Sequence, residues 1–369
     1  MPGKQSKNHW PIDQVQKQFA VNLLPDLASI YPTPPHHAGR IPPGIQKAFA
    51  EQREKSRVAL PLGEKLPMPY NLDRMPYLPV IDRPVITWPG NARVAVWIAP
   101  NIEHYEYLPQ FDGIRNPWPR TPYPDVQGYS HFDYGNRVGI WRLFDLFDRH
   151  QIRCTVSLSL SVLWHYPEIA RAMIERNWDF MSHGFYNTQY LTALDEEQER
   201  AYLRDNIETF RAYTGRQLKG FFGPSSSSTE RTPDLLAELG FRYHCDFVHD
   251  DQPMPIGVKS GRLISVPYTM ETNDGPVLRT AGDGSYFAKI CKAQFDRLYQ
   301  EGAKSGQVMC IAVHPCWAGQ PHRIRHLDEA LDYILSHDGV WLTTADDISD
   351  YFLAHHYDAM AAHAASLAG

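Results

Sequence analysis

The stretch Arg93-Val94-Ala95-Val96-Trp97-Ile98-Ala99-Pro100-Asn101-Ile102-Glu103-His104 joins a long apolar segment to a carboxylate and an imidazole. Its first part is apolar and contains several β-branched residues, which is typical of a strand buried on both faces. In α/β proteins, functional side chains gather where such strands end. We therefore expect Glu103 and His104 to lie at the C-terminal end of a buried strand, where they could act as acid and base.

The composition is that of a globular protein with enough apolar residues for a large core. The chain has 369 residues, of which 43% are hydrophobic. A chain of this size can form one large core or two smaller ones. Its 36 Lys and Arg against 42 Asp and Glu give a net charge of −6, and no basic run stands out. Nucleic acids and anionic membranes are therefore not expected as partners.

The five cysteines are spread along the chain and form no Cys-x-x-Cys pair. Four of them lie in or beside apolar segments, where a reduced thiol in the core is the usual interpretation. Cys316 follows His314-Pro315 in a predicted loop, so it is the one thiol whose reactivity is worth testing.

Residues 1–85 differ from the rest of the chain in their proline content, as in Tyr31-Pro-Thr-Pro-Pro35. Proline fixes φ and removes a backbone donor, so this part is expected to be extended. Its aromatic and aliphatic residues favour an arm that packs on the body or on a neighbouring subunit over a disordered tail. Residues 356–369 are interpreted as a C-terminal tail.

The N-terminus shows no sign of a targeting segment. Met1 to Gln14 are polar, without the apolar centre of a signal peptide, and no apolar run is long enough to cross a bilayer. The sequence therefore predicts a cytoplasmic protein.

From Ala92 onward, strand-like and helix-like segments alternate. Examples are the apolar segment Arg153–Leu160, the amphipathic segment Pro167–Arg176 and the apolar segment Val308–Val313. About eight strands with helices between most of them, in ~250 residues, predict a distorted (β/α) barrel of seven or eight strands over residues 86–355. An open doubly wound sheet is the alternative, but no Gly-rich turn follows the first strand. The stretch Leu108–Tyr134 is interpreted as a loop.

The predicted strands end in polar residues that could meet at one mouth of a barrel. A single histidine at a strand end is more often structural than functional. Several ends with imidazole or carboxylate groups instead provide what general acid–base hydrolysis needs, a group that takes a proton from water and another that gives one to the leaving atom. The residues at these ends are Glu103, His104, His183, Asp250, Asp251, Glu271, Asn273, Asp274 and His314.

Three of these ends resemble a known family. Glu103-His104, Ser182-His183-Gly184 and His314-Pro315 follow the motif order of the polysaccharide deacetylase (NodB-type) superfamily. The runs Asp250–Pro253 and Pro267–Asp274 are similar to those of its allantoinase-like members, which act in purine catabolism. The resemblance implies a distorted (β/α) barrel, hydrolysis of an amide or other C–N bond, and a homo-oligomer.

The chain departs from the metal-dependent members of that superfamily at three positions. Their Asp-Asp pair is Glu103-His104 here, their second histidine motif is His183 with Asn187, and their arginine position is Phe222. Neutral Asn is a poor zinc ligand. The resemblance therefore favours a reaction without a cofactor. One divalent metal, such as zinc bound by His104, His183 and Asn187, remains the alternative.

The candidate roles follow from these positions. Glu103 is the expected general base, with a pKa raised by partial burial, and His314 the expected general acid. His183, together with His104, is expected to orient or polarise the scissile carbonyl. The residues predicted to bind substrate are His104, Asp250, Asn273, Tyr186 and Glu271, with Asp251 and Asp274 as weaker candidates.

Aromatic residues near these motifs could form the wall of a pocket for a small planar ligand. They are Tyr186, Tyr190 and those of the loop from Trp118 to Tyr134, beside Asn187. Ordinary packing is the alternative interpretation.

Three classes of function agree with the sequence. The first is a hydrolase of a non-peptide C–N bond in a small cyclic amide, ureide or imide. The second is a zinc-dependent N- or O-deacetylase of a carbohydrate or small molecule. The third is a catalytically silent binding protein.

Overall fold

The computed structural model describes residues 74–109 and 124–367. Within these residues, the centre of the fold is a curled sheet of nine strands, in which only β6 and β7 pair antiparallel. The strands are β1 (Val94–Ile102), β2 (Thr155–Leu158), β3 (Asp179–Ser182), β4 (Gly220–Phe221), β5 (Tyr243–His244), β6 (Met254–Ile256), β7 (Leu263–Ser265), β8 (Gln307–Val313) and β9 (Val340–Thr343).

Helices fill most of the connections between the strands. They are α1 (Val126–Tyr134), α2 (Ile140–Arg149), α3 (Val162–His165), α4 (Pro167–Glu175), α5 (Glu196–Thr214), α6 (Thr232–Glu238), α7 (Asp274–Ala281), α8 (Gly284–Glu301), α9 (Ile324–Leu335), α10 (Ala345–His355) and α11 (Tyr357–Leu367). A π-helical turn, Gly135–Gly139, joins α1 to α2. None of the helices in the described ranges is both long and apolar enough to cross a membrane.

Strand β1 pairs with three other strands, β2, β8 and β9, and is buried along its whole length. Successive side chains of a strand point to opposite faces. Val94, Val96 and Ile98 accordingly pack with residues of the outer helices, whereas Ala95 and Trp97 belong to a second apolar cluster with residues of β5, β7 and β8. Both faces of β1 are therefore covered, as its apolar sequence predicts.

The order of the strands is β6-β7-β5-β4-β3-β2-β1-β8, and β9 pairs with the first half of β1. The sheet curls but does not close by pairing β7 with β8. The segment Thr272–Asn273 lies against β8 instead, where Ala312 N donates to Thr272 O at 3.0 Å. We call this junction the seam. The prediction of a distorted (β/α) barrel is confirmed.

The stretch Leu108–Tyr134 is not entirely a loop, as the sequence analysis expected. Residues 110–123, with Trp118, lie outside the described residues, but helix α1 begins at Val126. Its N-cap is Asp125, whose side chain accepts a hydrogen bond from Gly128 N at 2.9 Å. A capping carboxylate satisfies one of the unpaired amides of a first helical turn.

The two ends of the described chain pack on the barrel. Arg74 forms an ion pair with Asp234 on α6 at 2.8 Å, and Arg83 forms one with Asp250 at 2.9 Å. Beyond residue 356 the chain forms α11, which buries Met360 and Ala364. The predicted arm 1–85 lies outside the described residues up to position 73, and the division into arm, barrel and tail stays a prediction.

All five cysteines are buried and unpaired. Burial raises the pKa of the Cys316 thiol well above its ordinary value. Because the thiolate is the reactive form, Cys316 is expected to be inert at neutral pH.

Candidate active site

The register of the sheet brings the ends of its central strands into one row. Ile102 pairs with Leu158, which pairs with Ser182, and Ser182 pairs with Phe221. The residues after Ile102 and Ser182 are Glu103 and His183. They therefore leave the sheet at the same edge, and His183 Nε2 lies 3.5 Å from Glu103 Oε1.

His314 reaches the same carboxylate from the other side of β1. Strand β8 runs parallel to β1, with Val313 paired to Pro100. His314 is the next residue, and its Nε2 lies 3.6 Å from Glu103 Oε1. The structure thus brings Glu103, His183 and His314 together.

Asp274 holds His314 in place. This carboxylate is fully buried at the start of α7. One of its oxygens accepts from His314 Nδ1 at 2.6 Å, and the carboxylate also accepts from the backbone N–H groups of His314 and Ala318 at 2.9 Å. Because Nδ1–H donates to Asp274, the other ring nitrogen of His314 is the one presented to Glu103.

The surroundings of Glu103 and His314 decide the charge that each side chain carries at neutral pH. Burial would lower the pKa of His314, but the carboxylates of Asp274 and Glu103 raise it to about 10. Burial alone would raise the pKa of Glu103, but the charge of His314 and the approach of His183 hold it well below its ordinary value. At neutral pH Glu103 is therefore ionised and His314 protonated.

The expectation that burial raises the pKa of Glu103 is wrong. The desolvation is present, but two imidazoles facing the carboxylate outweigh it. The acid and base roles do not change, because a base must be ionised and an acid protonated before the reaction.

The second oxygen of Glu103 is held by a different pair of residues. Tyr105 hydroxyl donates to Glu103 Oε2 at 3.1 Å, and Asn187 Nδ2 makes a short hydrogen bond to the same hydroxyl. The Tyr105 ring stacks on Phe132, with centroids 3.7 Å apart and planes 12° from parallel. These contacts fix the carboxylate group on the side away from His314.

The backbone of Glu103 is fixed by the π-helical turn. Asn136 Nδ2 donates to Glu103 O at 2.8 Å. The turn lies directly against the loop after β8, because a Cβ on Gly139 would overlap Pro315 O. Turns of this kind are frequent at functional sites. The turn Gly135–Gly139 thus fixes the position of the backbone of Glu103 and of the loop that carries His314.

His104 and Tyr186 form part of an aromatic wall rather than contacting Glu103. His104 Nδ1 lies 2.9 Å from Ser161 Oγ, and its ring is 5.1 Å from Tyr186 and 5.3 Å from Tyr166. Burial and the neighbouring His165 lower the pKa of His104 to about 4, so its ring is neutral at pH 7.

Asp250 lies at the other end of the barrel. Its carboxylate binds Arg83 and caps Gln252 N, and the adjacent Asp251 O accepts from Val308 N at 2.8 Å. Val308 is near the start of β8, about 17 Å from Val313 at its C-terminal end at ~3.3 Å per residue. The predicted position of Asp250 beside Glu103 is wrong, because the chain after β5 runs back along the barrel before it enters β6.

Asn273 and Glu271 are also placed differently from the expectation. Both ends of the Asn273 amide bond protein atoms, since Oδ1 accepts from Gly275 N at 3.0 Å and Nδ2 donates to Thr269 O at 3.4 Å. Asn273 thus caps α7, the helix that begins with Asp274. Glu271 is exposed and lines, together with Asp250, a cavity of about 330 Å³ whose walls do not include Glu103 or His314.

The residues predicted to bind zinc do not form a zinc site. His183 Nε2 and Asn187 Oδ1 are buried polar atoms without a hydrogen-bond partner among the described residues. However, in residues 74–109 and 124–367 the only three His, Cys, Asp or Glu ligand atoms within 4.8 Å of one another belong to His150, Asp328 and Asp332. A structural or catalytic zinc needs at least three strong ligands, which His183 lacks here.

Phe222 stands where the metal-dependent deacetylases of the resemblance have an arginine, and its ring packs against two other aromatic rings. Its ring stacks on His183 with centroids 5.0 Å apart and on Tyr268 at 4.2 Å. Its carbonyl accepts the Nδ1–H of His183 at 2.7 Å. His183 therefore turns its other ring nitrogen, Nε2, toward Glu103.

A small cavity adjoins the base and the acid. Its walls include Glu103, Asn136 and His314, and its volume is about 10 Å³. A space of this size suits one water molecule.

The sequence analysis missed three residues of the site or ranked them low. Asp274 was a secondary candidate, although an acidic residue at the first position of a helix after a strand end is a usable signal. Gly135 and Gly139, four residues apart, were the only signal of the close approach that places Asn136. Tyr105 follows Glu103-His104 directly, but nothing in the sequence shows that its hydroxyl turns back to Glu103.

Residues 123–244 match the family model for polysaccharide deacetylase. The match contains His183 and ends before His314. A candidate polysaccharide deacetylase of Schizosaccharomyces pombe is 27% identical over 305 residues, which cover 74% of this chain and 95% of that protein. A peptidoglycan deacetylase of Helicobacter pylori is 21% identical over 254 residues, covering 60% of this chain and 85% of that protein.

Among solved structures, the crystal structure of PuuE allantoinase superposes with a TM-score of 0.66 and 27% sequence identity. The superposition covers 74% of this chain and 95% of the allantoinase chain. The similarity thus extends over nearly all of the compared structure.

Proposed function

We propose that this chain, which carries a polysaccharide deacetylase domain, hydrolyses a C–N bond other than a peptide bond in a small cyclic amide, ureide or imide. The proposal rests on one observation above all. Glu103, ionised, and His314, protonated through Asp274, face one another across 3.6 Å. Hydrolysis of an amide-type bond needs this pair of opposite protonation states.

In the proposed reaction, Glu103 Oε1 takes a proton from a water molecule, which attacks the carbonyl carbon. A C–O bond forms as the carbonyl π bond becomes an oxyanion. His314 Nε2 then gives its proton to the nitrogen as the C–N bond breaks and the carbonyl re-forms. Transfer of the proton from Glu103 to His314 restores both residues. The products are a carboxylic acid group and an N–H group, and the net consumption is one water molecule.

The remaining residues hold these two in place. Asp274 keeps His314 charged and oriented, and Asn136 fixes the backbone of the base. His183 Nε2 has no hydrogen-bond partner among the described residues and is placed to contact the substrate or the attacking water. This scheme uses no metal ion, because the ligand atoms of Glu103, His183 and His314 are not among those in the described residues that lie within 4.8 Å of one another as a group of three.

The choice of a compact substrate rests on the surroundings of the base. Aromatic rings lie next to it: Tyr105, which bonds Glu103, stacks on Phe132, and His104, the residue after Glu103, packs against Tyr166 and Tyr186. Flat aromatic walls favour planar ligands. The likeness to PuuE allantoinase supports a ureide.

A metal-dependent deacetylase is the second candidate, favoured by the deacetylase names of both curated relatives. We expect purified protein to hydrolyse one of a panel of hydantoins, ureides and cyclic imides, and to keep its activity after removal of metals by chelation. The panel includes acetylated amino sugars, and zinc is measured by elemental analysis on the same samples. Stoichiometric zinc, with activity on acetylated sugars that chelation abolishes, would establish the second candidate instead.

The pH profile follows from the two protonation states. His314, with its pKa of about 10, should give kcat/KM an alkaline limb near that pH, because above it the acid has lost its proton. Glu103, with a lowered pKa, should give no acid limb as the pH falls from about 7 to 5. Circular dichroism over the same range separates unfolding from titration. A limb near pH 6 with intact fold would contradict these assignments.

A further inference from the structure

The carboxylate of Glu103 has two oxygens in different surroundings. Oε1 faces His183 Nε2 at 3.5 Å and His314 Nε2 at 3.6 Å. Oε2 accepts the hydroxyl of Tyr105 at 3.1 Å. Oε1 is therefore the oxygen that faces both imidazoles of the site.

We propose that Asn187 and Tyr105 form a hydrogen-bonded chain that positions the base, fixing Glu103 Oε2 so that Oε1 alone takes the proton from water. This inference rests on the proposed function and assigns a role to two residues that do not themselves react. Asn187, at the position of a metal-binding histidine in the resemblance described above, then serves the base.

The number of protons fixes the direction of the chain. A phenol has one proton, and a carboxylate only accepts. Since the Tyr105 proton goes to Glu103 Oε2, the hydroxyl oxygen must accept from Asn187, which requires that the amide present its NH₂ group. The structure has this orientation, and Asn187 Oδ1 is left without a partner among the described residues.

Both residues are rigidly held, as positioning groups must be. The Tyr105 ring is stacked on Phe132 of α1. Asn187 is buried, and its backbone N–H donates to His104 O at 3.0 Å, which ties it to the residue after Glu103. The hydrogen-bonded chain and this backbone hydrogen bond together connect the loop after β3 to the end of β1.

The activity test compares Tyr105→Phe, Asn187→Ala and the double variant. Loss of a hydrogen bond to a charged group should lower kcat about 10- to 100-fold with little change in KM. Because both residues act through one chain, the double variant should be no slower than Tyr105→Phe. Tyr333→Phe is the matched control, since that hydroxyl donates to Asp296 at 2.7 Å between the outer helices α9 and α8 and its loss should leave kcat unchanged.

Asn187→Asp separates this role from metal binding. A carboxylate at position 187 accepts the Tyr105 proton and so withdraws it from Glu103, and kcat should fall to the level of Tyr105→Phe without any gain of zinc. A metal ligand would behave in the opposite way, because Asp binds zinc better than Asn does. Bound zinc in Asn187→Asp together with higher activity would overturn the proposal.

A spectroscopic measurement tests the chain without turnover. In protein labelled with ¹³Cζ-tyrosine, the Tyr105 resonance is identified by its loss in Tyr105→Phe. It should shift in both Asn187→Ala and Glu103→Gln, and stay in place in Tyr333→Phe. If it moves in neither, or if Tyr105→Phe keeps full activity, the chain does not exist. A wild-type protein that hydrolyses none of the panel, with the expected shifts present, would overturn the proposed function and leave the chain standing.

Discussion

Glu103→Gln should abolish nearly all turnover while leaving the fold intact. The amide keeps the shape of the side chain and can still accept from Tyr105, but it cannot take a proton from water. General-base catalysis typically contributes about 10²- to 10⁴-fold, so kcat should fall by that factor. The measurement is single-substrate kinetics on the best compound of the panel, with thermal unfolding recorded for the same preparations.

Glu106→Gln is the matched control for this substitution. Glu106 lies three residues further along the same segment, and its carboxylate accepts from Thr188 Oγ1 at 2.8 Å. Its neutralisation should leave kcat close to that of the wild type. If Glu103→Gln kept wild-type activity on the same substrate, Glu103 would not be the base.

Asp274→Asn should be nearly as damaging, although Asp274 does not face the cavity beside Glu103. It removes one of the two carboxylates that raise the pKa of His314 to about 10. With only Glu103 left to oppose the effect of burial, the pKa of His314 should fall, and His314 should have lost its proton at pH 8. With the acid lost, kcat at that pH should drop about 10²- to 10⁴-fold.

The pH profile distinguishes this mechanism from general damage. The alkaline limb should move several units toward neutral pH in Asp274→Asn, with activity partly recovered as the pH is lowered. Asp283→Asn is the control, because Asp283 caps α8 through Ser285 N at 2.9 Å and lies on the surface. An alkaline limb that stays near pH 10 in Asp274→Asn would show that Asp274 does not set the protonation of His314.

The central part of the site could be predicted because it depends on strand ends alone. Glu103, His183 and His314 each follow an apolar segment, and parallel strands with aligned ends must bring such residues together. Tyr186 and His104 were also expected near the mouth, where the structure places them in one wall.

The rest depended on features that the sequence does not mark. Asp250 follows β5, but the three-residue strand β6 runs antiparallel and carries that loop away from the mouth. The π-helical turn that aims Asn136 at Glu103 has no residue pattern of its own beyond two glycines. The low pKa of Glu103 depends on the charge of His314, which in turn depends on Asp274. The direction of the Glu103 pKa shift can therefore be predicted only once the three segments that carry these residues are known to be in contact.

The seam between Thr272–Asn273 and β8 has a consequence for how this protein can evolve or be engineered. Asp274 follows the seam and accepts hydrogen bonds from two backbone amides beyond β8. The carboxylate that raises the pKa of His314 therefore also holds together the junction where the sheet is joined by a single isolated bridge. Substitutions that weaken the Asp274 hydrogen bonds to admit a larger substrate would at the same time lower the pKa of His314. Substitutions that strengthen these hydrogen bonds would slow local opening of the junction. Thermal stability and substrate range are therefore coupled at this junction. Variants selected for a wider substrate range should lose thermal stability, and variants selected for higher stability should accept fewer substrates.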